Sequence, residues 1–400
     1  MPKGVAMPAI PIAVLAMTFA LMIGGCVSQA GAPDPTTFAA TLAARATATS
    51  PPTASPVAST PTASPSRVAE ESTPRGSASA AASTPVNSAA VGDSLTISAV
   101  GDISLARQVV DRMKAEGAGY PYALVAPLID GDIGFANLEG ALTDRGEPWP
   151  KGYNFRTPPR FASGLPSGRI NVVTLANNHT LDYGAIGLTD TIAALDAASV
   201  RHAGAGASDA GAWTPVVVEV RGLRVAFIGC ALTPDEGGGF SIHQWAAGAD
   251  TPGIAICEPI RLQNAIAGAR QTADFVIVAV HAGNEYIPAP SDTQRQLAQA
   301  ALAAGADAYI GAHAHVVQPV EQHGSQLIAW GLGNFIFDLD DVDLANIPEP
   351  RVSVILDITL TKGRGVTSYH AIPVTQDAAE DRPRPATPEE AAALNRSIGG

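Results

Sequence analysis

Cysteine is scarce in this 400-residue chain: there are three, Cys26, Cys230 and Cys257. None has zinc-finger spacing, which excludes a thiolate metal scaffold. Cys230 and Cys257 can form a disulfide or stand as two buried thiols, and the sequence alone does not choose. Positive charge is also short. Lys and Arg number 24 against 37 Asp and Glu, the formal net charge is −13, and no basic run occurs. Nucleic acids and anionic membranes reward clustered cations, so broad binding to either is excluded. Aromatic residues make up 5% of the chain. The hydrophobic fraction of 46% still suffices for a globular core.

Long apolar runs are confined to the front. Lys3 is followed by an almost unbroken apolar stretch from Ala6 to Ile23, closed by Ile23-Gly24-Gly25-Cys26. A membrane span needs about 20 apolar residues, and small residues at the end favour cleavage. The pattern resembles a bacterial lipoprotein signal, with Cys26 lipidated as the mature N-terminus; a plain signal peptide or an uncleaved anchor is the alternative. Residues 27–92 are mostly Ala, Ser, Thr and Pro. Such a segment cannot bury enough surface to offset about 1–2 kcal/mol per residue of backbone ordering, and it reads as a disordered tether. The expected location is therefore exported, extracytoplasmic and lipid-anchored to the cell membrane.

Residues 93–375 carry the fold. Buried strands are predicted at Leu95–Val100, Ile133–Leu138, Ile170–Leu175, Phe275–Val280, Tyr309–Ile310, Leu327–Trp330 and Val352–Leu360. Helices are predicted at Leu105–Glu116, Leu188–Ala198 and Thr293–Ala304, and a hairpin around Arg221-Gly222-Leu223. Alternating strands and helices imply parallel pairing and the hairpin implies antiparallel pairing. The reading is a mixed-sheet α/β domain with two packed sheets and helices outside. Residues 376–400 are expected to form a loose tail.

Metal-ligand side chains cluster where these strands run out. Asp102, Glu139, Asn178-His179, His281, His313 with His315, and Asn334 each follow an apolar run. One His at a strand end is usually a structural hydrogen-bonding residue, and a lone Gly-Asp has almost no specificity. The combination reverses that reading, since four of the eight histidines fall at three of these ends. Open α/β sheets bind ligands at strand carboxyl ends. Mixed carboxylate, amide and imidazole donors suit Mn²⁺, Fe²⁺ or Zn²⁺, as one ion or two. Alternation predicts His313 and His315 on one side of an extended segment.

The residues that carry this pattern resemble the capsule biosynthesis protein CapA family, a poly-γ-glutamate synthesis group related to calcineurin-like metallophosphoesterases. The likeness rests on Gly101-Asp102-Ile103, Asn137 to Gly140, Phe155 to Pro159, Ala176 to Gly184, His281 to Tyr286, Gly305 to Asp307, Gly311 to His315 and Leu332 to Phe335. It implies a metallophosphoesterase-like four-layer α/β sandwich with two mixed β-sheets and a metal site at one sheet edge. By that analogy Asp102 and His315 would hold one ion and Asn178, His281 and His313 the other, with Glu139 bridging. His179 would be the general acid, and Asn177, Arg156, Glu285 and Asn334 would line the substrate side. Ser104 stands where the superfamily usually has a ligand His, which weakens the first metal position. The resemblance implies a surface lipoprotein in capsule synthesis, export or anchoring, working with capsule-synthesis membrane proteins on an anionic polymer. The ligand set equally fits an extracytoplasmic phosphoesterase, and the missing His leaves a non-catalytic, metal-stabilised scaffold open.

Overall fold

A computed structural model describes residues 92–347, 351–377 and 379–398. The signal, Cys26 and nearly all of the expected tether lie outside the described residues. No described helix is long and apolar enough to cross a membrane.

The central strands of the two sheets are buried on both faces. In Phe275–Ala282, Phe275, Ile277 and Ala279 face one core, whereas Val276, Val278 and Val280 face another. Period-two alternation with apolar residues on both faces is what a central strand between two layers requires. Ser94–Ile103 does the same, with Leu95, Ile97 and Ala99 on the inner side.

The first sheet runs Arg382–Pro385, Gly365–Asp377, Val352–Thr361, Ser94–Ile103, Ile133–Leu138, Val172–Thr174, Arg201–Ala203, with Asn334–Ile336 also paired to Ser94–Ile103. Its last four strands in this order are parallel and its first three antiparallel. The second sheet runs Val320–His323, Gln326–Ala329, Ala308–Ala312, Phe275–Ala282, Leu223–Leu232, Val216–Val220. It has a parallel centre and antiparallel edges, one of them the predicted hairpin. The sheets pack face to face through an inner core in which Phe135 stacks on Phe227 with ring centroids 5.4 Å apart. Helices Arg107–Glu116 and Gly184–Ala197 bury Val109, Met113, Leu188 and Leu195 against the outer face of the first sheet. Helices Pro259–Ala269 and Asp292–Ala303 bury Leu262, Ile266, Leu297 and Ala301 against the second. The result is a four-layer α/β sandwich with two mixed sheets.

Cys230 and Cys257 form a disulfide with Cα atoms 5.0 Å apart, inside the outer core of the second sheet. The end of the chain corrects the expected loose tail. Arg382–Pro385 pairs with Gly365–Asp377, and helix Pro388–Ser397 drops Leu394, fully buried, into the core between the sheets. Its start is fixed by a capping box between Thr387 and Glu390, and Glu390 also pairs with Arg384 at 2.8 Å.

Candidate metal centre

Register brings the site together. Asp102 lies beside Asn137 near the carboxyl ends of two parallel strands, and beside Asn334 at the start of a third. This crossing needs Gly101, because a Cβ there would lie 1.8 Å from the Gly333 carbonyl oxygen. Asn137 pairs with Thr174, which sets Asn177 to His179 just past the next strand end. From the second sheet, His281 pairs with Ala312, one residue before His313. Both sheets thus deliver their strand-end side chains to one place.

A chain of amide hydrogen bonds fixes the floor. Asn137 Nδ2 donates to Asp102 Oδ1 at 2.8 Å and lies 3.2 Å from His281 Nδ1. Asn177 Nδ2 donates to Asn137 Oδ1 and to the Leu138 carbonyl, and Asn177 Oδ1 accepts from the His179 N–H. His281 Nε2 lies 2.9 Å from Asn178 Oδ1, and Asn178 Nδ2 donates to Glu236. His315 Nδ1 lies 2.8 Å from Asn334 Oδ1, leaving Nε2 to face Glu139 Oε1 at 4.0 Å. Asn177 and Asn334, expected on the substrate side, are therefore buried behind the centre, where they orient their neighbours.

Two groups of three side chains have donor atoms within 4.8 Å of one another: Asp102, Glu139 and His281, and Glu285, His313 and His315. This grouping differs from the division the resemblance implied, which put His315 with Asp102 and His281 with His313. The segment holding His313 and His315 is also not extended. Both residues adopt positive φ, 89° and 56°, in a bend, and it is that bend which turns both rings inward. Non-glycine residues held there carry local strain of the kind found at functional sites.

The electrostatics favour a cation. Burial lifts the Asp102 and Glu139 carboxyls above their ordinary range, with the charge of Asp102 adding to the effect on Glu139 and His315 opposing it on both. Burial opposes protonation of His315, but Glu139, Asp102 and Glu285 outweigh it and raise that imidazole to about 9. Burial holds His281 and His313 neutral, with other nearby imidazoles adding to the effect. Glu139 Oε1 and His313 Nδ1 are buried with no hydrogen-bond partner. Unpartnered carboxylate and imidazole donors facing one space fit a divalent ion.

His179 lies against this centre, its ring stacked on Phe155 at 4.1 Å and its Nε2 3.8 Å from Glu139 Oε1. Its other nitrogen is held by two residues whose roles the sequence does not reveal. Asp182 Oδ2 lies 2.8 Å from Nδ1, and Lys151 Nζ lies 3.3 Å from it. The Lys151 side chain is wholly buried. It also pairs with Asp182 Oδ1 at 3.0 Å, donates to the Asn178 carbonyl and sits 4.9 Å from the Phe240 and Trp245 ring centres. The three donors of the ammonium thus have three partners. Burial raises Asp182 to about 7 against the opposing pull of Lys151. Burial, Lys151 and His315 keep His179 neutral. These contacts fix the ring with Nε2 aimed at the centre.

A cavity of about 400 Å³ opens over the site, lined by Tyr153, Asp235, Glu236, Asn284, Glu285 and His313. A smaller pocket beside it, about 80 Å³, is lined among others by Arg107, His179, Glu285 and His315. Arg156 lines neither. Its guanidinium donates to the Gly146 carbonyl and lies 3.6 Å from the Tyr183 ring centre, which corrects its expected substrate role.

The family described as bacterial capsule synthesis protein PGA_cap matches residues 96–339, the stretch that supplies every one of these groups. The chain belongs to the PGA_cap family. Similar proteins include the PGA biosynthesis protein CapA of Bacillus subtilis (strain 168), 34% identical over 250 residues, 62% of this chain and 64% of the relative. The capsule biosynthesis protein CapA of Bacillus anthracis is 32% identical over 259 residues, covering 62% and 60%. This PGA_cap chain therefore spans under two thirds of each of these two relatives. Among solved structures, a hypothetical protein from Thermus thermophilus superimposes with a TM-score of 0.41 at 15% identity, over 70% of this chain and 98% of that one.

Proposed function

We propose that this PGA_cap protein acts at the cell surface in assembling, exporting or anchoring a poly-γ-glutamate capsule, through metal-dependent hydrolysis or transfer at the centre described above. The observation that carries the catalytic part is the set of buried, unpartnered donors, Glu139 Oε1 and His313 Nδ1, beside His179 Nε2 and under an open cavity. The similarity to relatives named for capsule and PGA biosynthesis supports the biological setting. The disulfide and the lipoprotein-like front of the sequence support an extracytoplasmic location on a lipid anchor.

Asp102, Glu139, Asn178, His281, His313 and His315 would hold Mn²⁺, Fe²⁺ or Zn²⁺. A bound ion supplies Lewis acidity to a phosphoryl or carbonyl oxygen and lowers the pKa of water. The chain's own groups do the rest. Asn137 and Asn334 set the orientation of Asp102 and His315. Asp182 and Lys151 hold the His179 ring so that Nε2 delivers its proton to the leaving-group atom. Phe155 and Phe337 pack against the His179 and His315 rings and keep water from their flanks.

Phosphoryl and acyl chemistry would use these groups alike, so a phosphoester remains the alternative substrate. The test is a screen of the metal-loaded full chain against γ-linked glutamate polymer and phosphodiesters side by side. Turnover of the polymer, abolished by chelator, is the expected result. Turnover of phosphodiesters alone replaces the substrate, and no turnover of either with metal bound leaves a binding protein.

A further inference from the structure

The two groups of donors at the centre are not equivalent. In the inner one, Asp102 and His281 are already engaged. Asp102 Oδ1 accepts from Asn137 and Oδ2 from the His313 N–H, and both nitrogens of His281 face amides, Asn137 Nδ2 and Asn178 Oδ1. An ion entering there must displace hydrogen bonds. In the outer group the donors are free. His313 Nδ1 has no partner, and His315 has Nδ1 fixed on Asn334 and Nε2 left over. Glu139 Oε1, also without a partner, lies on the outer side at 4.0 Å from His315 Nε2, while its other oxygen turns inward to Asn137 at 3.3 Å. Glu285 completes the outer set from the next loop, immediately before Tyr286, a non-glycine residue held at φ 61°. Tyr286 is itself anchored by its N–H to the Ala314 carbonyl, between the two histidines. This outer group borders the 400 Å³ cavity.

We infer that Glu285, His313 and His315 form the primary metal site, with Glu139 Oε1 at its inner edge, and that the Asp102 and His281 group is filled second and more weakly. This rests on the metal-dependent reading above and moves Glu285 from the substrate wall to the ion. Two imidazoles and a carboxylate with open positions are a donor set suited to Zn²⁺, Fe²⁺ and Mn²⁺. An imidazole whose far nitrogen is already oriented by an amide is pre-set for ligation.

Mn²⁺ titration of the full chain, read by calorimetry and by loss of the free-ion EPR signal, tests the order. The expected result is a tight step that weakens by about 100-fold or more in Glu285→Gln, above the 10–100-fold typical of an orienting neighbour, and that survives within threefold in Asp102→Asn. Glu285 is exposed, so its variant should fold normally. A tight step that follows Asp102 and ignores Glu285 overturns the inference while leaving a metal protein. A wild-type chain that binds no Mn²⁺, Zn²⁺ or Fe²⁺ overturns both it and the metal-dependent reading.

Discussion

Lys151→Met isolates what one buried ammonium contributes. Methionine keeps the length and the contact with the Phe240 and Trp245 rings, but removes the donors to Asp182, His179 and the Asn178 carbonyl. Two hydrogen bonds and the ion pair with Asp182, at 0.5–1.5 kcal/mol each, cost roughly 1.5–4.5 kcal/mol at pH 6. The cost should then grow with pH, for a reason specific to Asp182. Its carboxyl titrates near 7 in the folded protein and at 3.8 ordinarily. Between those values the folded state holds a proton that the unfolded chain has lost, so stability falls as pH rises, and in the wild type the fall stops near 7 once the carboxylate ionises beside Lys151. Without Lys151 the folded value lies higher still. The fall continues past 7 at about 1.4 kcal/mol per pH unit. Urea unfolding of both proteins in EDTA at pH 6, 7, 8 and 9 measures the difference. A destabilisation of the same size at every pH would refute the claim that Lys151 keeps Asp182 ionised.

Three further outcomes are expected. His179→Ala should lower turnover of whatever substrate the screen finds by roughly 10²–10⁴-fold with metal content unchanged, checked by kinetics beside elemental analysis. Reducing the Cys230–Cys257 disulfide, which closes a 27-residue separation, should cost about 3.5 kcal/mol by loop entropy, read from the shift in urea midpoint with and without reductant. Leu394→Ala, in a helix that the sequence suggests is expendable, should cost roughly 2–5 kcal/mol because the side chain is fully enclosed between the sheets; thermal or urea unfolding decides it.

The strands were legible because they are apolar on both faces and end in turn residues, as in Phe275–Val280 before His281. Helix limits shifted by a few residues: Leu105–Glu116 became Arg107–Glu116, since the residues before Arg107 are still extended. The site's histidines and acids were legible from their shared address at strand ends. Lys151 was not, because a single Lys in a loop carries no pattern; its only signal is the neighbouring Trp149 and Tyr153. Glu236 was hidden in a glycine-rich loop that only the fold lays beside Asn178. Arg156 misled because a cation in a family motif suggests an anion partner, whereas its guanidinium lies over the Tyr183 ring and donates to backbone carbonyls. The final helix announced itself through Thr387-x-x-Glu390, a capping-box spacing outweighed by the prolines around it.

The strand Ser94–Ile103 sits in the middle of its sheet, with Ser94 opposite Thr361 across a separation of 267 residues. It changes partner along its length, from antiparallel Val352–Thr361 to parallel Asn334–Ile336. A chain that emerges from its N-terminal end therefore has its central strand first and the neighbours on one side of that strand almost last. No partial product can close the first sheet or seat Asp102 beside Asn334, so assembly of the site is a terminal event. Contacts of this span fold slowly. Under the extracytoplasmic proposal above, that delay would keep the polypeptide threadable until its late strands are made.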